Sequence, residues 1–224
     1  MRPQEVIRIL SLVYFSSLIH GFRIRLEAIQ NFLEHVKNEA ETEIQTVLAR
    51  NESGEFQELD DLDNALHHPI ARQEIAARAV YYELNAFIEH ELQRSAHLAW
   101  LESNRHPGAK GFDLSEVSVE SLKMIQDVPF GKITKLIESK YGIRLQELEG
   151  GNDFFKMHQM VNAFKHRDGL VDFRRQADQY IRFPQYHQSE IEEAFGAIKT
   201  AEAFVLALWR ATDRWQEFPE SKLV

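Results

Sequence analysis

Three polar residues, His158, Asn162 and His166, recur at intervals of four in the segment KMHQMVNAFKHRDG. On a helix that spacing stacks them along one line. Imidazole titrates near neutral pH, so it can take and return a proton. An amide can orient an imidazole or a substrate oxygen. Lys165 and Arg167 are immediate neighbours, and Arg174 and Arg175 follow shortly after. These residue types suit acid–base chemistry on a phosphate ester, with cations to meet charge that develops on phosphoryl oxygens. The competing reading is structural: Asn162 and His166 would cap or bridge neighbouring helices and carry no chemistry.

A helix over 152–166 must position these groups. On a helical projection Phe154, Met157, Met160, Val161 and Phe164 share an arc of about 120°, and the polar line runs beside it. Asn is a poor residue for a helix interior because its amide competes for backbone hydrogen bonds, so Asn162 needs a reason. Asp168-Gly169 reads as the stop signal.

The remaining chain predicts the elements around that helix. A first helix starts near Pro3 and runs past Gly21 to about Arg50, with Leu26, Ile29, Phe32, Leu33 and Val36 on one face. Residues 51–69 read as an acidic loop. A second long helix spans about 71–102, buried through Ile75, Val80, Leu84, Phe87, Ile88, Leu92 and Leu98. A break follows at His106-Pro107-Gly108. Shorter helices are expected over 115–128 and 132–140, the latter stopped by Tyr141-Gly142. A loop over 143–151 ends in Gly150-Gly151. The last helix opens with Ser189 and Glu192 at capping-box spacing and buries a face from Ala194 to Trp209. No segment alternates as a strand would. The expectation is an all-α chain, a helical bundle with two or three long helices and short connecting ones, forming a single domain over 1–224.

Composition narrows the function classes. The 224 residues include no cysteine, which excludes disulfides, thiolate metal sites and a cysteine nucleophile. This also fits a reducing compartment, and the chain reads as cytoplasmic. The formal charge is −9, which opposes non-specific duplex binding. The charge is uneven, however. Residues 152–183 hold six basic and four acidic side chains, so the locally basic region coincides with the polar line. The apolar stretch from Val6 to Phe22 is short and interrupted, and reads as a core or dimer helix, not a membrane span. His67-His68 and the Glu89-His90-Glu91/His97 group do not repeat as a metal-binding bundle would. They read as solvated surface, so neither a metal nor a cofactor is expected. Glu83 is a candidate buried partner for a motif histidine, although a Glu so placed more often lies at the bundle edge. The acidic stretch 51–65 is either a docking site for a basic partner or a solubilising element.

MVNAFKHRDG resembles the motif region of the HEPN superfamily, small helical-bundle proteins of bacterial toxin–antitoxin and phage-defence systems. Their signature is an Arg, a gap of four to six residues, then His. The resemblance implies an antiparallel bundle and a homodimer in which the motifs of two subunits meet to cleave RNA without metal. It also implies a partner such as an antitoxin protein. Here His166 matches the motif histidine, and Asn162 the polar residue that follows the Arg. In those roles His166 is the general base for 2′-OH attack, Asn162 orients, and Lys165 or Arg167 meets the phosphate. His158, Arg174 and Arg175 complete the substrate-binding set; the two arginines read equally as a solvated basic pair or a contact for a partner's acidic surface. The chain departs from the signature at the arginine: gaps of four, five and six fall on Val161, Met160 and Gln159. Two functional expectations follow, a HEPN-like endoribonuclease or a catalytically silent helical module that binds a protein or nucleic-acid partner.

Overall fold

A computed structural model describes residues 3–103, 128–167 and 190–212. Within them the backbone is helical with no strand, as the sequence predicts for an all-α chain. Five helices are described: α1 (Pro3–Glu52), α2 (Leu59–Ser103), α3 (Phe130–Tyr141), α4 (Gly151–Arg167) and α5 (Ile191–Ala211). The helix expected over 115–128 falls almost wholly outside the described residues.

α1 buries Ile19, Phe22, Leu26, Leu33, Val36, Ala40 and Val47, with Ile29 packed against the same core. These positions are separated by alternating threes and fours up to Ala40, which is the repeat of a helix that keeps one seam against a partner helix. That partner is α2. Phe22 stacks on Phe87 with ring centroids 4.7 Å apart, Arg25 binds Glu83, and Arg72 binds Glu43. As the α1 number rises the α2 number falls. Phe32 lies one position off the seam and is exposed, as is Ile75 on α2. Their apolar character predicts burial, but the seam's 3.5-residue period leaves them outside it.

The acidic loop is shorter than expected. Residues after Glu52 turn at Gly54, which takes φ +81°, and α2 already begins at Leu59. Asp60 and Asp61 occupy its first turn, where carboxylates complement the exposed N–H groups. Pro69, which reads as a boundary, lies inside the helix and is buried. It removes one backbone donor, and half-buried Leu62, Ala65 and Leu66 on the preceding turns keep the helix on its seam.

The two halves of this hairpin differ in packing. From Ala76 to Ala99, α2 buries a residue at almost every third or fourth position. From Asn38 to Ile75 only Ala40, Val47 and Pro69 are buried. The second half is therefore an arm whose helices pack essentially on each other.

α5 covers the other half. Ala194, Ile198, Ala201, Phe204, Val205, Leu208 and Trp209 face inward, and Arg23–Glu202 and Lys37–Glu192 tie it to α1. Its cap residue is Glu190, which makes no side-chain cap bond; Ser189, the expected cap, lies outside the described residues. Trp209 is buried with its indole N–H donated to Glu91 at 2.8 Å, and Glu91 is itself only 3% exposed. The expectation of a solvated Glu89–His97 face is thus wrong at Glu91, because the indole supplies a buried donor.

α3 ends where Tyr141-Gly142 predicts, with Gly142 left-handed at φ +66°. Leu145–Glu147 form one short 3₁₀ turn, pinned by the Glu138 carboxylate, which accepts from the Leu145 N–H at 3.0 Å. The next two glycines are required. Gly150 takes φ +70°, and a Cβ there would lie 2.6 Å from the Thr200 carbonyl oxygen of α5. A Cβ on Gly151 would overlap the Leu145 carbonyl oxygen. These two close approaches fix where α4 starts. Among the described residues no helix is long and apolar enough to cross a membrane.

Candidate functional site

α4 enters the core through Phe154, Met157, Val161 and Ala163, all buried. Phe154 stacks on Phe204 of α5 at 4.9 Å. That anchor sets the rotation of the helix and turns the polar line toward α2.

His158 meets α2 directly. Its Nδ1 lies 3.0 Å from Asn85 Oδ1 and 3.1 Å from Glu89 Oε1. Its Nε2 lies 3.0 Å from Asn162 Nδ2. Two oxygen acceptors at Nδ1 and one amide donor at Nε2 select a single tautomer. With the Asn162 amide nitrogen facing Nε2, that tautomer carries its proton on Nδ1, where Asn85 and Glu89 accept it. Phe130 of α3 stacks on the ring with centroids 4.0 Å apart, and the side chain is 12% exposed. The hydrogen bond from His158 holds the Glu89 carboxyl below the usual carboxylate range, against the opposing effect of burial. Lys165 adds a favourable field at Glu89, and its ammonium lies 5.8 Å from the Tyr82 ring centroid.

For His158 and Asn162 this arrangement shows the spacing of one helical turn and changes the chemistry. His158 and Asn162 do stack at one helical turn. Both ring nitrogens of His158 are nevertheless occupied within the protein, so it has no free lone pair with which to take a substrate proton. Asn162 is oriented by His158, not by a substrate. Glu83 binds Arg25 on the surface, in keeping with a place at the bundle edge and not with a pairing to a motif histidine; Glu89 of α2 is the carboxylate beside His158.

The position of the missing arginine is also resolved. Val161, at a gap of four from His166, is 1% exposed in the core. Met160 is half-buried and Gln159 exposed. Lys165 is exposed on the last turn. His166 and Arg167 belong to that turn of α4, but their side chains, with Arg174 and Arg175, lie outside the described residues. Nearby, the Arg78 guanidinium sits 4.6 Å over the Phe164 ring, and its buried Nε has no hydrogen-bond partner among the described residues. The buried Asn85 Nδ2 likewise has none.

Asn85, Glu89 and Phe130 are the site residues that motif reasoning misses. Asn85 carried a readable signal, the same one that singles out Asn162: an amide in the middle of an apolar helical run. Phe130 carried none. Among the described residues no group of three or more His, Asp or Glu could hold a metal ion. No protein-family model, curated protein or solved structure matches the chain.

Proposed function

We propose that the chain is a HEPN-like helical module that binds RNA at the basic end of α4 without cutting it. The observation that carries this reading is the closed polar network: His158 is stacked and bonded at both ring nitrogens. The burial of Val161 supports it, since the motif arginine at that position would point into the core. In this reading the helices form an antiparallel bundle, and the network serves to fix the last turn of α4, whose Lys165 and Arg167 supply the cations for phosphates.

The acidic charge of the chain does not oppose this. Residues 38–75 carry ten acidic and two basic side chains, which accounts for all but one unit of the formal charge of −9. The rest of the molecule is close to neutral, so the six basic residues of 152–183 are not overwhelmed locally.

Electrophoretic mobility shifts with labelled single-stranded RNA test the proposal. Binding should fall with rising salt, weaken in the Lys165→Ala/Arg167→Ala double variant, and persist in His166→Ala. Failure to bind RNA at low salt would reject it. The motif histidine favours a second reading, a homodimeric ribonuclease with His166 as general base. It requires products with 2′,3′-cyclic phosphate ends that disappear in His166→Ala.

A further inference from the structure

The acidic arm has a groove along one side, and we infer that this groove is a docking site for a cationic amphipathic helix of a partner protein. Near the core end it encloses a cavity of about 370 Å³ lined by Lys37, Glu41, Ile70, Glu74, Ile191 and others. The same two helix faces continue outward. On α1, Leu48 and Glu52 project within about 60° of Lys37 and Glu41; on α2, Leu59 and Asp63 project within about 60° of Ile70 and Glu74.

Ile70 lines the cavity, and Leu48 and Leu59 lie further out on the same helix faces. Leu48, Leu59 and Ile70 are 37%, 78% and 46% exposed, three large apolar side chains in a strongly acidic part of the molecule. Apolar residues left at helical intervals beside an interhelical groove are the anchors that an incoming amphipathic helix uses. The rim decides the occupant. The arm's two arginines are already neutralised within it, Arg50 by Glu55 and Arg72 by Glu43, and Lys37 at the inner end is held by Glu192 and Glu41. Glu52 and Asp63 make no ion pair among the described residues. The exposed field is therefore negative. It repels RNA and a second copy of the arm, and attracts Lys and Arg on a partner. From Lys37 to Glu52 the groove runs about 22 Å, the length of a helix of about 15 residues.

A fluorescent 16-residue peptide with Leu at alternating three- and four-residue spacing, flanked by Lys and Arg, tests this by anisotropy on the full chain. A scrambled peptide of identical composition is the control. The ordered peptide should bind at least tenfold more tightly than the scrambled one. Ile70→Asp should abolish the difference, with Ile70→Gln as a milder second variant and circular dichroism confirming that both keep their helix. Glu52→Gln with Asp63→Asn should weaken binding and flatten its salt dependence. Equal binding of both peptides, discrimination that survives both Ile70 variants, displacement of the peptide by single-stranded RNA, or an arm-mediated dimer lost in Ile70→Asp would each overturn the inference. RNA binding at α4 is read separately, in variants that leave the arm intact.

Discussion

The α2–α4 contact and the arm use polar residues in opposite ways. At the contact, Asn85, Glu89, His158 and Asn162 bond one another under an aromatic lid. In the arm the carboxylates face water and the buried residues are few. The first arrangement consumes its chemical capacity to hold two helices in register. The second leaves its capacity available to a partner. A polar cluster is thus a poor guide to catalysis until its lone pairs have been assigned, and an acidic run is more than filler when it forms the side of a groove.

The sharpest way to break this comparison is to remove one large side chain from each region. Phe154→Ala should cost about 3–5 kcal/mol, because the ring is fully buried against Phe204 and leaves a cavity. Ile70→Asp should stay within about 0.5 kcal/mol, as exposed positions do. Chemical denaturation compares them, and similar losses would contradict the division into core and arm.

A smaller effect is expected at the second buried polar contact. Glu91→Leu should destabilise by about 1–3 kcal/mol, since the Trp209 indole N–H loses its acceptor. Glu91→Gln, which keeps an acceptor oxygen, should recover most of that loss.

The network itself should show in acid. Folding lowers the Glu89 carboxyl below its ordinary value of 4.5. A carboxyl lowered by folding adds stability above its unfolded value, and that contribution disappears as pH falls through the folded value. Melting temperatures followed from pH 7 to pH 3 should therefore decline below pH 4.5, and less steeply in His158→Leu, which lacks the bond to Glu89. Parallel declines would mean that the bond does not stabilise the fold.

The smallest effect belongs to the arm's surface pair. Arg72→Ala, which frees Glu43, should cost about 1 kcal/mol or less, because both side chains keep more than two-fifths of their surface in water. Hydrogen exchange should separate the regions more clearly. Amides between 42 and 70 should open at lower free energy than those of α2 from 80 to 96, where buried contacts are denser.

Much of this was legible in the chain. Helix type, the Tyr141-Gly142 stop, the burial of Phe154, Met157 and Val161 on α4 and the buried face of α5 follow from local periodicity and backbone preference, which a linear sequence carries. The stacking of His158 on Asn162 is equally local, being one turn of one helix. What the sequence could not determine is which residue of a distant helix meets that line. Glu83 and Glu89 are equivalent by type and differ by the rotation of α2 about its seam, which packing against α1 and α5 sets. The start of α2 at Leu59 depended in the same way on a tertiary contact, because half-buried Leu62, Ala65 and Leu66 carry the helix through Pro69. The charge of residues 38–75 was plain from the sequence. That Glu41 and Glu74 line one cavity with Ile70 and Ile191 was decided by how the helices lie against each other.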